Sequence, residues 1–212
     1  MKKYFFVVIL ALITIPVLSQ ENNKYVQYLD MSESPEIAII VQGCHSTVII
    51  YQDTIDYVAL NYPYMPDTSR LPVKLFVFEK ERSTLFLNGL GREGIMEVHL
   101  KNPSWYIVAT GYNEVYINTN DRNCLELDML RVQTDGYASV TLPSQVKAEV
   151  VSLVAMDHSS IIYERYEADY YGETTSEFAI VRGSYRNGEY VYPGRDRKTV
   201  GELFPDLKRK FH

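Results

Sequence analysis

The sequence predicts an all-β protein, and more specifically a single-domain β-solenoid in which short strands stack in successive repeats. A turn flanked by apolar residues returns three times, and its first apolar anchors, Val108, Val132 and Val154, are spaced 24 and 22 residues apart. Spacings of this size are typical of solenoids, in which each repeat buries its apolar face only against its neighbours. Beyond the amino terminus, nearly every apolar run is also short and rich in β-branched or aromatic residues, as strands are.

The predicted strands follow one another along the chain, and turn-forming residues such as Gly43 and Pro63 separate them. Leu125 and Leu127 alternate with acidic residues, which predicts a strand with one buried and one wet face. The predicted strands are 37–41, 47–51, 57–60, 73–78, 83–87, 95–100, 105–108, 114–117, 125–130, 139–142, 148–154, 160–163 and 177–181.

The amino terminus predicts export. Lys2 and Lys3 precede an uncharged apolar stretch at 4–17, and Ser19 offers a small residue before a cleavage point. This is the pattern of a secretory signal peptide over residues 1–19. The stretch is shorter than the ~20 residues that a spanning helix needs. We therefore predict a cleaved chain without a transmembrane segment, in the periplasm or at the cell surface, with an uncleaved signal anchor as the alternative.

The rest of the chain divides into an N-terminal linker at 20–35, the β-solenoid domain at 36–193 and a basic C-terminal tail at 194–212. Within 195–210 there are six basic and three acidic residues. Apolar residues in the tail suggest a helical face, but Pro205 would interrupt it. We expect a short segment that docks on the solenoid end, with attachment to an anionic envelope surface as the alternative.

Charge excludes one class of partner. Cleavage after residue 19 would remove two lysines and lower the formal net charge from −6 to −8. Binding to nucleic acid relies on positive charge against phosphates, so we predict no nucleic-acid partner. The chain is 46% apolar and has 18 tyrosines, which indicates a folded domain.

A resemblance to a known family rests on the order of these features. An opening turn at 41–48, a strand pair at 73–87 and residues 98–103 lead into repeats with small polar turns. Over about 36–181 this order resembles the head GIN domain family of autotransporter-adhesin type, which is common in secreted proteins of Bacteroidetes-type bacteria. The resemblance implies a β-solenoid and a non-catalytic, adhesin-like binding or structural role in the cell envelope. Where such domains have Gly-Ser-Gly-like turns, this chain has Gly111-Tyr112, Gly136-Tyr137 and Asp157-His158.

A tyrosine-rich segment is the predicted binding surface. Tyr163, Tyr166, Tyr170 and Tyr171 lie among four acidic residues within eleven positions. Exposed tyrosines beside carboxylates can stack on a sugar ring or meet a protein, so the predicted partner is a glycan or an envelope protein. The alternative is a strand edge protected by charge, with half-buried tyrosines. Self-association is left open.

The amino-acid pair Asn187-Gly188 predicts one further element, a last hairpin that covers the open end of the solenoid.

An enzyme is the alternative function. Counted from the first valine, Asp135 and Asp157 share one position of the repeat, and His158 occupies the next. Equivalent positions would lie about 4.8 Å apart, so two carboxylates and an imidazole could perform acid–base chemistry on a sugar. Aspartate in a turn also serves its own backbone. We therefore predict a non-enzymatic protein, with a carbohydrate-active β-helix enzyme as the alternative.

The cysteines and histidines predict neither a metal nor a cofactor. Cys44 and Cys124 could form a disulfide in an oxidising compartment, and the sequence leaves the pairing open. Cys44 is adjacent to His45, so the two lack the spacing of zinc ligands. A glycine-rich string at 89–94 is followed by a strand pattern, which argues against a nucleotide loop.

Overall fold

The computed structural model describes residues 24–31, 34–43, 45–61, 76–88, 94–120 and 124–190, which form an all-β fold. These residues contain no α-helix and one short 3-10 turn, Lys80–Arg82. In this part of the chain no helix is long and apolar enough to cross a bilayer. The predicted signal peptide, the basic tail and Cys44 lie outside the described residues.

Sixteen strands lie within the described ranges. In chain order they are β1 (Lys24–Tyr28), β2 (Ile37–Gln42), β3 (Thr47–Gln52), β4 (Tyr57–Asn61), β5 (Phe76–Glu79), β6 (Thr84–Asn88), β7 (Ile95–Leu100), β8 (Ser104–Ala109), β9 (Glu114–Asn118), β10 (Leu125–Thr134), β11 (Ser139–Thr141), β12 (Val146–Ala155), β13 (Ser160–Ile162), β14 (Arg165–Thr175), β15 (Ile180–Arg182) and β16 (Tyr185–Tyr190).

The strands form two sheets of eight. The first sheet has the order β1-β4-β7-β3-β9-β11-β13-β15, and the second has the order β16-β14-β12-β10-β8-β2-β6-β5. From β8 onward the chain alternates between the sheets. We call one strand of the second sheet, the turn after it and the next strand of the first sheet a repeat, which gives the repeats β8–β9, β10–β11, β12–β13 and β14–β15.

Successive repeats pair in parallel. Ile107 lies beside Val132, and Val132 beside Leu153, so equivalent residues are 25 and then 21 positions apart. The predicted spacings of 24 and 22 are wrong by one residue, because Val108 and Val154 both pair with Gln133 and not with Val132. The parallel pairing of consecutive repeats agrees with the repeated turn in the sequence.

Antiparallel strands close the amino-terminal end of both sheets. β4 pairs with β7 and β1 pairs with β4 in the first sheet, while β5 pairs with β6 in the second. The predicted strand pair at 73–87 is therefore confirmed in β5 and β6 from residue 76 onward, and 73–75 lie outside the described residues. The segment at 20–35, predicted as a linker, contains β1. Its tyrosines and valine favour a strand. By pairing with β4, this strand supplies hydrogen-bond partners to the backbone groups at the edge of β4.

The core lies between the two sheets. Stacked aliphatic side chains such as Val115, Val140 and Ile161 are fully buried, since each repeat covers the one before it. Each such side chain stabilises the fold by about 1.5–3 kcal/mol. Leu125 and Leu127 are buried while their acidic neighbours are exposed, as their alternation predicts.

The predicted hairpin at Asn187-Gly188 is wrong. Both residues lie inside β16, which pairs in parallel with β14 across a register shift near Glu167. Gly188 has a φ of 139°, and a Cβ atom there would lie 2.0 Å from the carbonyl oxygen of Ala168. The glycine therefore permits a close backbone approach between two parallel strands, and β15 and β16 are the last strands of the described sheets.

Candidate functional site

A column of five stacked aromatic rings runs along the corner where strands of the second sheet turn into the first sheet. The rings belong to His45, Tyr112, Tyr137, His158 and Phe178, and we call them the aromatic column. Successive ring centroids are 5.1, 4.9, 5.1 and 5.1 Å apart, and the interplanar angles are 23°, 2°, 16° and 4°. The rings are therefore stacked face to face from one repeat to the next.

Tight turns hold the rings in place. In the second repeat, the N–H of Ala138 donates to the carbonyl of Asp135 at 3.3 Å, and the Asp135 Oδ1 accepts from the N–H of Gly136 at 2.8 Å. Gly136 has a φ of 70°, whereas Tyr137 does not have a positive φ. Positive φ therefore falls on the residue directly before the aromatic residue, within a turn that the bond between Ala138 and Asp135 closes.

The same turn recurs in adjacent repeats. Gly111 and Asp157, with φ of 74° and 54°, occupy the position of Gly136, and glycine and aspartate both tolerate this conformation. The N–H of Tyr137 donates to Gly111 at 2.8 Å, and the N–H of His158 donates to Gly136 at 2.9 Å. Because the turn backbones are hydrogen-bonded in register, the ring spacing follows the spacing of β-strands.

Buried polar side chains support these turns from behind. The Asn113 Oδ1 accepts from the N–H of Ser46 at 3.0 Å, and its Nδ2 donates to the carbonyl of Thr110 at 2.5 Å. In the third repeat the Ser159 hydroxyl donates to the carbonyl of Met156 at 2.6 Å. These hydrogen bonds pair carbonyl groups of the turns with side-chain donors. The turns that carry the column are therefore preorganised.

The column is open to solvent. Tyr112, Tyr137 and Phe178 are 51%, 55% and 61% exposed, and His45 and His158 are exposed as well. Because the faces of the inner rings cover one another, their accessible surface is the ring edge, which in the tyrosines carries the hydroxyl. The column therefore presents a ridge about 20 Å long, the sum of four ring spacings, with polar groups along an aromatic edge.

The surroundings of the column are acidic. Asp157 and Glu177 are exposed beside its carboxyl-terminal half, and Glu114 is exposed at the start of β9. The four turns contain no lysine or arginine; they span 110–113, 135–138, 156–159 and 176–179. These four turns therefore supply no lysine or arginine to pair with an anionic ligand.

The predicted acid–base ladder does not form. Thr134 pairs with Ala155, which sets Asp135 beside Met156 and sets Gly136 beside Asp157. Asp135 and Asp157 thus occupy different positions of the turn, and the prediction that they share one is wrong. The ring of His158 is held between those of Tyr137 and Phe178. Among the described residues no group of three or more His, Cys, Asp or Glu could hold a metal ion.

Two of the four predicted binding tyrosines are buried. Tyr163 and Tyr166 belong to the core, and both hydroxyls donate to the Glu173 Oε1, at 3.0 and 2.7 Å. Burial, followed by the interactions with Glu173, raises the pKa of both tyrosines. Arg186 pairs with the other oxygen of Glu173 at 2.5 Å. These tyrosines close the core of the last repeat and are not a contact surface.

The other two tyrosines differ from each other. Tyr171 is half-buried and lies edge-on to Tyr166, with ring centroids 5.6 Å apart, whereas Tyr170 is 51% exposed. The predicted surface of four tyrosines is thus reduced to Tyr170.

Cys124 lies directly before β10, half-buried, with its Sγ 3.5 Å from the carbonyl oxygen of Leu125. Burial raises the pKa of its thiol. The disulfide with Cys44 stays a prediction, because Cys44 lies outside the described residues.

A second aromatic cluster joins the parallel and antiparallel parts of the first sheet. The buried ring of His99 on β7 is stacked between those of Tyr51 on β3 and Tyr57 on β4, at 4.6 and 4.0 Å. Its Nδ1 lies 2.8 Å from the Asp53 Oδ2. The N–H of Thr54, and then His99, hold the pKa of Asp53 below its ordinary value. We interpret this cluster as a structural tie between three strands.

The aromatic column has a sequence signal that an alignment on valine misses. Aligned on the aromatic residue, Tyr112, Tyr137, His158 and Phe178 are 25, 21 and 20 positions apart. These are the spacings of the paired strands. The spacing of the aromatic residues therefore matches the true register, whereas that of the first valine anchors, Val108, Val132 and Val154, does not.

Comparison with known proteins shows the fold. A solved structure of a candidate adhesin from Parabacteroides merdae is similar with a TM-score of 0.54 at 11% identity, over 80% of this chain and 79% of that one. A candidate adhesin from Parabacteroides distasonis is similar with a TM-score of 0.50 at 11% identity, over 81% and 79%. No family model matches the chain, and no curated protein matches it in sequence. At this identity the likeness extends to the fold alone.

Proposed function

We propose that this protein is an exported, non-catalytic, adhesin-like binding module of the bacterial envelope, built as a β-solenoid. The in-register stacking of parallel repeats supports the solenoid architecture, and the fold that it shares with two candidate adhesins supports the adhesin-like role. The apolar stretch after Lys2 and Lys3 supports export. The exposed aromatic column is the observation that carries the binding role.

The column is larger than its structural role requires. Each stacked pair of rings contributes about 0.5–1.5 kcal/mol to the repeat stack. The turns beneath the rings are, however, already fixed by backbone bonds and by Asn113 and Ser159. A contiguous exposed patch of large aromatic side chains is uncommon on a soluble protein and typically marks an interaction site.

The chemistry of the ridge favours a neutral, extended glycan. Tyrosine hydroxyls and imidazole nitrogens repeat along the column, and both can donate to and accept from sugar hydroxyls. Ring edges offer apolar contact between these polar groups. Asp157 and Glu177 beside the column would repel a uronate or a sialylated chain. The linear, preformed ridge suits a ligand that also repeats along its length.

A glycan array on the purified protein tests this function. A variant with Tyr112→Ala and Tyr137→Ala removes two neighbouring rings, and Tyr170→Ala removes an equally exposed tyrosine outside the column. The proposal expects binding to neutral glycans that the double variant loses and the control retains, with bound glycans recovered uncut. Binding that both variants retain would contradict the assignment of the site. Shortened glycans would contradict the non-catalytic role, and binding only to a protein would replace the ligand class.

A further inference from the structure

An exposed hydrogen-bonded pair of side chains follows the turn that carries Tyr112. The Tyr116 hydroxyl donates to the Glu114 Oε2 at 3.2 Å. Both side chains are exposed on the outer face of β9, where Tyr116 is 41% exposed. Glu114 is two residues after Tyr112, and the fully buried Asn113 lies between them. We call Glu114 and Tyr116 the carboxylate–tyrosine pair.

Backbone hydrogen bonds fix the position of this pair relative to the aromatic column. The N–H of Glu114 donates to the carbonyl of Ser46 at 2.8 Å, and the N–H of Ser139 donates to the carbonyl of Asn113 at 2.9 Å. β9 is therefore hydrogen-bonded on both sides, to β3 and to β11. Because the turn at Tyr112 is held in the same way, the pair and the column form one rigid surface.

The repeating fold does not require a carboxylate or an aromatic ring at these positions. The equivalent positions of the two neighbouring strands carry shorter side chains. They are Thr47 and Ile49 on β3, and Ser139 and Thr141 on β11. These strands pair in the same register without a carboxylate or a ring, so the stability of the sheet does not account for the pair. The short neighbours also leave the pair standing above the sheet, next to the strand ends that carry the column.

The hydrogen bond gives the pair a fixed polarity. A carboxylate only accepts hydrogen bonds, and the Tyr116 hydroxyl uses its one proton on Glu114. Burial, followed by the charge of Glu114 and by this hydrogen bond, raises the pKa of Tyr116, which keeps the hydroxyl protonated. The pair therefore offers a ligand two acceptors, the Glu114 Oε1 and the remaining lone pairs of the Tyr116 oxygen. The hydroxyls of Tyr112 and Tyr137, in contrast, can donate as well as accept.

We infer that the carboxylate–tyrosine pair selects a sugar with two adjacent free hydroxyl groups, one donating to the Glu114 Oε1 and the other to the Tyr116 oxygen. The inference rests on the proposed glycan-binding function and names the chemical group that the site recognises. Hydrogen bonds to an ionised carboxylate are stronger than those between neutral groups, so Glu114 contributes most of the selectivity. The exposed ring of Tyr116 adds apolar contact with the same sugar.

An array of neutral oligosaccharides tests this selection when each is printed free and with one adjacent pair of hydroxyl groups in every sugar methylated. Glu114→Gln keeps the size of the side chain and removes the charged acceptor, so it should weaken binding to the free forms about tenfold. Tyr116→Phe removes the neutral acceptor and should weaken this binding about threefold. Both variants should lose most of the preference for free over methylated forms. Glu149→Gln, the same change at an exposed carboxylate of the other sheet, should bind as the unmodified protein does.

The outcomes separate this inference from the proposed function. If Glu114→Gln keeps the affinity and the preference of the unmodified protein, the inference is overturned, and the proposed function still stands where the Tyr112→Ala, Tyr137→Ala variant loses binding. A lower unfolding temperature of Glu114→Gln would assign the pair to the stability of β9 and would also overturn the inference. If the unmodified protein binds no neutral glycan, the proposed function fails and the inference fails with it.

Discussion

The ring of Tyr112 lies parallel to the ring of Tyr137, with their centroids 4.9 Å apart and their planes within 2°. The two residues are 25 positions apart in the chain and meet because their turns are hydrogen-bonded in register. Stacking hides the ring faces and leaves the hydroxyl-bearing edges to solvent. Stability and recognition therefore depend on different parts of the same side chains.

Tyr137→Ala should destabilise the protein by about 1–3 kcal/mol, because Tyr137 stacks on both Tyr112 and His158 and each contact contributes about 0.5–1.5 kcal/mol. Tyr137→Phe keeps both contacts and should cost less than about 0.5 kcal/mol. Urea denaturation of both variants measures the difference. Equal stability of Tyr137→Ala and the unmodified protein would show that the column does not support the stack.

The turn glycines predict a graded effect. Gly111→Ala forces a side chain into a φ of 74° and brings its Cβ to 2.9 Å from the carbonyl oxygen of Gly43, so we expect a loss of about 2 kcal/mol or more. Gly136→Ala has a similar φ of 70°, but its nearest contact is 3.3 Å, and it is the matched control. Denaturant midpoints should rank Gly111→Ala below Gly136→Ala, and the opposite order would contradict the packing between these turns.

Tyr166→Phe should cost about 1–2 kcal/mol, because it removes a buried hydroxyl that donates to Glu173 at 2.7 Å. Tyr163 and Arg186 remain on that carboxylate, which limits the loss. The exposed Tyr170→Phe should stay within about 0.5 kcal/mol of the unmodified protein. A loss at Tyr170 comparable to that at Tyr166 would contradict the assignment of Tyr166 to the core.

Asp53 predicts a pH dependence of stability. Its pKa is lowered in the folded state, so its ionised form stabilises the fold above the unfolded pKa of about 3.9. This contribution is lost as the pH falls through the lower folded value. Asp53→Asn should therefore cost about 1 kcal/mol at pH 6–7, and the difference should shrink below pH ~4. Asp169→Asn, at an exposed carboxylate, controls for the lost charge. A gap between Asp53→Asn and the unmodified protein that does not shrink at all as the pH falls below ~4 would contradict the linkage.

The fold class was predictable because strands such as 37–41 and 47–51 consist of β-branched residues between turn signals, and both are present as β2 and β3. The strand pattern did not include β14 and β16, although the strand-edge alternative for the tyrosine-rich segment agrees with β14. They are built from tyrosine, charged residues and glycine, and they owe their strand conformation to pairing with the preceding repeat. Asn187-Gly188 carries a strong local turn signal that this tertiary pairing overrides.

The site was predictable only in part. The turns at Gly111, Gly136 and Asp157 stood out, but the valine anchors shifted the second repeat by one residue. A shift of one residue brings a different side chain to each position. The alignment on the first valines therefore placed two aspartates at one position and did not bring all the aromatic residues to one position. The sequence did not distinguish the buried tyrosines at 163 and 166 from the exposed Tyr170, because their burial results from the stacking of neighbouring repeats.

The most direct test of the binding role is a titration of the best neutral glycan from the array against the protein and a Tyr112→Phe, Tyr137→Phe variant. This variant keeps the stack and removes only the two hydroxyls, while Tyr170→Phe removes one hydroxyl outside the column. We predict that the column variant binds at least about tenfold more weakly, the loss of roughly 1.4 kcal/mol, with an unchanged unfolding midpoint, and that Tyr170→Phe binds normally. Equal affinity of all three proteins would contradict recognition through the edges of the aromatic column.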